Sequence, residues 1–228
     1  MAHILQDNYE TGESNTLSRY GVYWAAQTFT PSSSYTISRV SLYSLRVGNP
    51  STVTASIRAT SGGAPTGADL CTATADGNGW STSLAWHSLD FSSGASLSSG
   101  TTYAIVVRAA GGDENNSIGL RANYAGDYGG GANYISSNSG VNWTLYSARD
   151  LYFRTYLTAD NPITMSVTSG GAGGGVCSLQ VGAIIVMSVS AGGTGGGTCL
   201  LRRGVWRALV NPDLRMIAIG NNTVWYSS

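Results

Sequence analysis

The chain has 228 residues and a formal net charge of zero, and only 11% of it is Asp, Glu, Lys or Arg, against about 25% in typical soluble domains. All of its basic side chains are arginines, dispersed along the chain, so there is no electrostatic footprint for nucleic acid or for an anionic membrane. Glycine supplies 31 residues and Glu, Lys and Gln are scarce beside Tyr, Val, Thr and Trp, which predicts a nearly all-β fold.

The N-terminal text "MAHILQDNYETGES" has neither a basic n-region nor an apolar h-region, so no secretory signal is expected. The longest apolar stretch, Val181 to Val189, falls far short of the ~20 residues that span a bilayer. Residues 1–20 read as a polar arm or a first edge strand. From Val22 the chain becomes a series of short strands broken by turn residues, the pattern of a sandwich. "VYWAAQTF" ends at "PSSS", "YTISRVSLYSLRV" at "GNPS", "TVTASIRA" at "TSGGAPTGA", "LCTATA" at "DGNG" and "LAWHSLDF" at "SSGASLSSG". "TTYAIVVRA" follows, then "IGLRANYA", "ANYIS", "VNWTLYS" and "DLYFRTYL", making about ten strands by Leu157 with hairpin-like connections. In "TTYAIVVRA", Tyr103, Ile105 and Val107 share one face, and Thr102, Ala104, Val106 and Arg108 share a mixed one. Ile37, Val40 and Leu42 do not keep a strict period of two, which predicts a bulge or bend near Arg39.

The phrases "AAQTFTPSSSYTISRVSLYSLRVGNPSTVTASIRATSGGAPTGADL", "SGTTYAIVVRA" and "YISSNSGVNWTLYSARDLYFRTY" resemble a β-sandwich module of bacteriophage structural proteins. The module also occurs in secreted, carbohydrate-binding-like bacterial proteins. The likeness covers roughly residues 20–157 and rests on strand-and-turn phrasing, not on a catalytic motif. It implies a non-enzymatic part of a virion, such as a head decoration or cement protein or a fibre or tail component. Its expected partners are other virion proteins, a major capsid or tail protein among them, and copies of itself. Trimers are common among such parts, although nothing in these residues counts subunits. The implied location is the virion, made in the host cytoplasm and released with the particle.

"LTADNPIT" marks a boundary, with Asn161-Pro162 as the turn signal. Beyond it, "MSVTSGGAGGGVCSLQVG" (Met165 to Gly182) and "MSVSAGGTGGGTCLLRRG" (Met187 to Gly204) form an internal repeat at constant offset. A Walker-type phosphate loop needs a lysine, and the chain has none. A dinucleotide fingerprint needs a helix after the glycines and an acid downstream, whereas strand-like text follows here. The glycine runs are therefore read as architecture, and Gly173, Gly174, Gly195, Gly196, Arg202, Arg203 and Trp206 as candidate assembly residues. The expected organisation is an arm or edge strand over 1–20, an antiparallel jelly-roll-like β-sandwich over 21–158, and a small glycine-rich β unit over 163–228.

The chemistry-bearing residues point away from catalysis. Cys71, Cys177 and Cys199 lack zinc spacing, with only His3 and His87 to help them. Cys177 and Cys199 are either two buried thiols or a pair, if their strands lie side by side. A carboxylate pair for glycoside hydrolysis could be sought among Asp113, Glu114, Asp127 and Asp150, but the first two are adjacent in a polar loop and read as facing water. The loops "GGDENNS" and "AGDYGGG" lack the spacing of a known calcium loop, so neither a metal nor a cofactor is expected. Aromatics carry the main binding alternative, in which exposed rings stack on surface glycans. Trp80, Tyr128, Tyr134 and Trp143 are the candidate ligand-binding residues, beside Trp86, Tyr124 and Tyr146.

Overall fold

The computed structural model describes residues 3–12, 14–158, 163–168, 177–180, 185–190, 198–202, 215–220 and 223–227. The chain divides into two compact units that part between Thr158 and Ala159. The first unit carries β1 (His3–Tyr9), β2 (Ser14–Arg19), β3 (Trp24–Phe29), β4 (Tyr35–Val47), β5 (Thr52–Ser61), β6 (Ala64–Asp76) and β7 (Ala85–Asp90). It continues with β8 (Ser96–Leu97), β9 (Tyr103–Arg108), β10 (Ser117–Asn123), β11 (Asn133–Ser136), β12 (Thr144–Tyr146), β13 (Asp150–Leu151) and β14 (Phe153–Thr158). The protein is thus nearly all β, as its composition predicts, with a single 3-10 turn at Gly77–Gly79 among the described residues.

Two antiparallel sheets result. The first runs β1-β14-β4-β10-β13, with β7 and β8 also paired to β4 and β2 to β10; the second runs β12-β11-β3-β9-β5-β6. The expected run of hairpins is replaced by something else. β5–β6 and β11–β12 are hairpins; β1–β2, β7–β8 and β13–β14 follow one another within the first sheet without pairing, and at every other connection of this unit the chain passes from one sheet to the other. This alternation lets both sheets contribute alternate residues to one core. Phe29, Ile57 and Ile105 from the second sheet meet Ile37, Leu42, Leu120 and Phe153 from the first, all essentially buried. Each such side chain contributes about 1.5–3 kcal/mol of hydrophobic stabilisation. The N-terminal residues belong to the same body, because β1 pairs with β14 from His3↔Thr158 to Tyr9↔Phe153.

Two local features follow from side-chain phase. Tyr156 pairs with Arg39 but Leu157 pairs with Ile37, so Ser38 is an extra residue. That bulge re-phases β4 and turns Ile37, Val40 and Leu42 to the same core. In β9, Tyr103, Ile105 and Val107 face the main core as expected. The opposite face is mixed, as expected, but not open: beside Thr102 and Arg108, Ala104 and Val106 are fully buried in a second cluster with Ala26 and Tyr134. The outer face of the second sheet therefore has a cover of its own.

In the second unit, β15 (Ile163–Thr168) pairs with β17 (Ile185–Ser190) and β16 (Cys177–Gln180) with β18 (Thr198–Arg202), both in parallel. β19 (Arg215–Gly220) and β20 (Thr223–Ser227) complete the second pair's sheet in the order β16-β18-β20-β19. Met165 pairs with Met187 and Cys177 with Cys199, a separation of 22 residues each time, so each of the four repeat strands pairs with its own equivalent. Arg202 ends β18 opposite Gln180. Gly173, Gly174, Gly195, Gly196, Arg203 and Trp206 lie outside the described residues.

Candidate functional site

The covered outer face of the second sheet is built from alternate residues of its inner strands. Ala26 of β3 pairs with both Val106 and Tyr134, Arg58 of β5 with Ala104, and Trp24 of β3 with Ser136. Small residues at Ala26, Ala104 and Ser56 leave room for large ones. The Trp24 ring lies under two guanidinium groups, Arg108 at 4.9 Å and Arg58 at 5.8 Å from its centroid. Its indole N–H donates to the Gly21 carbonyl at 3.1 Å.

Asp69 ties the two arginines together, accepting from Arg58 Nε at 2.6 Å and from Arg108 Nη2 at 2.9 Å. It reaches them because residues 67–70 of β6 stand opposite Arg58 alone, between the pairs Ile57↔Cys71 and Ala59↔Thr66. Burial alone would push the Asp69 carboxyl up, but the hydrogen bonds from Arg58 and Arg108 outweigh it and hold the group below the usual carboxylate range. Arg108 Nη1 also donates to Ser56 Oγ at 2.8 Å.

Of the four aromatics proposed from sequence, Tyr134 and Trp143 come together on this face, packed with Trp24. Tyr134 is not an open platform, being only 8% exposed. The β5–β6 turn closes over its hydroxyl, and a Cβ on Gly63 would stand 2.7 Å from that oxygen. Trp143 is half-buried, and its indole Nε1 is buried without a hydrogen-bond partner among the described residues. Gly140, at φ +79°, lets the loop before β12 lie on both rings; a Cβ there would meet Trp24 Cε3 at 2.7 Å.

The other two belong elsewhere. Trp80 is buried and stacks on His87, with ring centroids 4.4 Å apart and planes 5° from parallel. Tyr128 turns between the sheets and packs edge-on against Phe153 at 5.4 Å.

The groups offered for catalysis are engaged structurally. His87 Nε2 accepts from the Ser81 backbone N–H at 3.1 Å, which leaves Nδ1 to donate to Ser44 Oγ at 3.1 Å. Burial lowers its pKa, so the neutral ring is held at physiological pH. Asp113 accepts from the Asn115 N–H at 2.8 Å and from Asn116 Nδ2, closing its own turn. Asp127 accepts from Asn123 Nδ2 and from the Tyr9 hydroxyl. Asp150 is 2% exposed, accepting from Gln27 Nε2 at 3.1 Å and from the Tyr128 N–H at 3.1 Å. Its carboxyl is pushed up to about 6, by burial first and by Asp127 in addition. No group of three or more His, Cys, Asp or Glu side chains stands together among the described residues.

A second surface lies at the β12 edge of the second sheet. β12 is wholly exposed, and six of the nine large hydrophobic residues exposed in the described part belong to this region: Val22, Tyr23, Tyr124, Val141, Leu145 and Tyr146. Val141 is 76% exposed. The Ser139 N–H donates to the Val22 carbonyl at 2.9 Å, joining the two segments. Arg149 lies between the Tyr124 and Tyr146 rings, 4.5 and 4.4 Å from their centroids.

Trp24, Arg58, Arg108 and Asp69 are not picked out in the sequence, where their alternation gives a face but not the neighbouring strand. Among the described residues no helix is long and apolar enough to cross a membrane. No protein-family model matches the chain, and no curated protein shows a significant match to it.

Proposed function

We propose that the chain is a non-catalytic structural part of a bacteriophage particle, a head decoration or cement protein or a fibre component. It docks on a capsid or tail protein and on copies of itself. The observation that carries this reading is the β12 edge. An unpaired edge strand beside exposed Val141, Leu145, Tyr146, Val22 and Tyr23 is a surface that a soluble monomer normally avoids. The engagement of His87, Asp113, Asp127 and Asp150 in turns and packing supports a non-catalytic role.

A second reading, sugar binding, is favoured by the half-exposed ring of Trp143, which packs with Trp24 beside Arg58 and Arg108. A half-exposed aromatic ring beside polar groups is suited to a saccharide face. Sedimentation of the full chain, of the Val141→Asp/Leu145→Lys variant and of a chain ending at Thr158 separates the two. The assembly reading expects a multimer from the full chain and a folded monomer from the double variant. A full chain that stays monomeric at all concentrations and is retained by a neutral polysaccharide replaces it with the second reading.

A further inference from the structure

The second sheet has two edges, β6 and β12, and they are built differently. An exposed strand edge is a template for another chain, and proteins blunt it with charge, proline or a bulge. β6 carries all three, in Asp69 and Asp76, in Pro65, and in residues 67–70 that stand opposite Arg58 alone. β1, at an edge of the first sheet, carries Asp7 and a bulge between Leu5 and Asn8. β12 has none of these. Residues 136–147 contain no charged residue and no proline, and β12 pairs with β11 in regular register.

The ladder fixes which backbone groups that edge presents. The Thr28 N–H donates to the Ala132 carbonyl at 2.9 Å, so Ala132 turns its backbone toward β3. Backbone groups alternate sides along a strand, so Asn133 and Ile135 turn theirs toward β12. The Asn133 N–H indeed donates to the Arg149 carbonyl, just past β12, at 3.3 Å. The register partners of these two, Tyr146 and Thr144, therefore face β11, and Leu145 between them presents its N–H and C=O to the open side. Among the described residues no turn or loop hydrogen bond uses either group. Apolar side chains flank this point on both faces of the sheet: Leu145 shares a face with its partner Tyr134, and Tyr146 takes the other.

We propose that the occupant of this edge is a second copy of the chain, added antiparallel about a two-fold axis through Leu145. The two Leu145 residues exchange both N–H···O=C bonds, Thr144 of each copy stands opposite Tyr146 of the other, and the two second sheets become one. This deepens the assembly reading and rests on it. A two-fold sets each residue near its axis against its own copy, so a charge there repels, and the uncharged segment 136–147 meets that condition. The next charged residue, Arg149, is half-buried between the Tyr124 and Tyr146 rings. A charged partner finds no opposite charge in the segment. The six exposed hydrophobic residues of this region leave the equivalent of about three residues open, roughly 500 Å² at about 150–200 Å² for each large side chain. A specific dimer buries about 800 Å² per partner, which leaves the remainder to the paired backbone and to exposed Asn142 and Thr144.

The test is sedimentation equilibrium of the full chain as wild type, Leu145→Ala and Leu145→Pro. Proline deletes an N–H that the pairing uses and the β11–β12 ladder does not, so the variant keeps its own sheet. The wild type is expected to form dimers. Their dissociation constant is expected to be about tenfold or more higher in Leu145→Pro than in Leu145→Ala, because each copy loses a donor and leaves a carbonyl unpaired. Where Leu145→Pro fails to fold, an equimolar mixture of Thr144→Cys and Tyr146→Cys chains treated with diamide decides. The two thiols face each other across the closer, non-hydrogen-bonded pair, so a disulfide-linked dimer forms in excess of that given by either variant alone. A multimer weakened equally by Leu145→Ala and Leu145→Pro, an odd-numbered multimer, or a mixture without excess cross-link overturns the pairing and leaves the assembly reading standing. A chain monomeric at all concentrations overturns the pairing together with the self-assembly on which it rests.

Discussion

Asp150 sets a pH dependence that a single substitution isolates. Its folded pKa of about 6 lies above the ordinary 3.8, a rise of roughly two units, or about 3 kcal/mol at 1.36 kcal/mol per unit. Below pH 3.8 the group is protonated in both states and costs nothing. Between pH 3.8 and 6 the unfolded chain releases the proton while the folded chain holds it, so stability falls as pH rises and then levels off. Asp150→Asn removes the ionisation and keeps the shape. It also sets an N–H against one of the two donors that Asp150 accepts, Gln27 Nε2 or the Tyr128 N–H, a pH-independent loss of about 1 kcal/mol. Urea unfolding followed by tryptophan fluorescence at pH 4, 5, 6 and 7.5 gives the difference between the two proteins, in which the other carboxylates cancel. That difference is expected to shift by about 2.5 kcal/mol in favour of the variant between pH 4 and 7.5, the rest of the effect lying below pH 4. A difference that stays constant across this range refutes the burial argument.

Asp69→Asn removes the charge shared by Arg58 and Arg108 and is expected to lower stability by about 1–3 kcal/mol, measured by urea unfolding at pH 7. Because the Asp69 pKa is held below 3.8, its stabilisation is present at neutral pH and is lost as pH falls through the depressed value; the deficit of the variant narrows there. Gly140→Ala meets both a left-handed φ and the Trp24 ring, and a loss of about 1–3 kcal/mol is expected, read as a lowered thermal midpoint. Trp143→Phe should leave thermal stability unchanged or raise it by about 1 kcal/mol, since it deletes a buried N–H that has no acceptor. A clear drop in the midpoint would show that the indole nitrogen is satisfied.

The all-β class and the phase of individual strands were legible because they depend on local order alone. Tyr103, Ile105 and Val107 share a face by alternation, and the misfit of Ile37 with Val40 betrays the bulge at Ser38. Strand partners were not legible. Nothing near Trp24 announces that Tyr134 of β11 and Arg58 of β5 will share its face, since those meetings depend on the crossing of the chain between sheets. The same limit misplaces Trp80 and Tyr128: glycine beside a ring signals a turn, while burial is decided by what packs across it, here His87 and Phe153.

The parallel pairs of the second unit join residues 22 apart, and this makes chain length there a quantised variable. A duplication of one whole repeat adds a strand to each of the two sheets and leaves every strand opposite its own equivalent. A change of any other length that is carried into the strand register sets Met165 or Cys177 against an unrelated position, and an odd shift also reverses which residues share a face. Length change that adds paired strands in register therefore comes in steps of 22 residues, so that the gene carries a ruler whose division is one repeat.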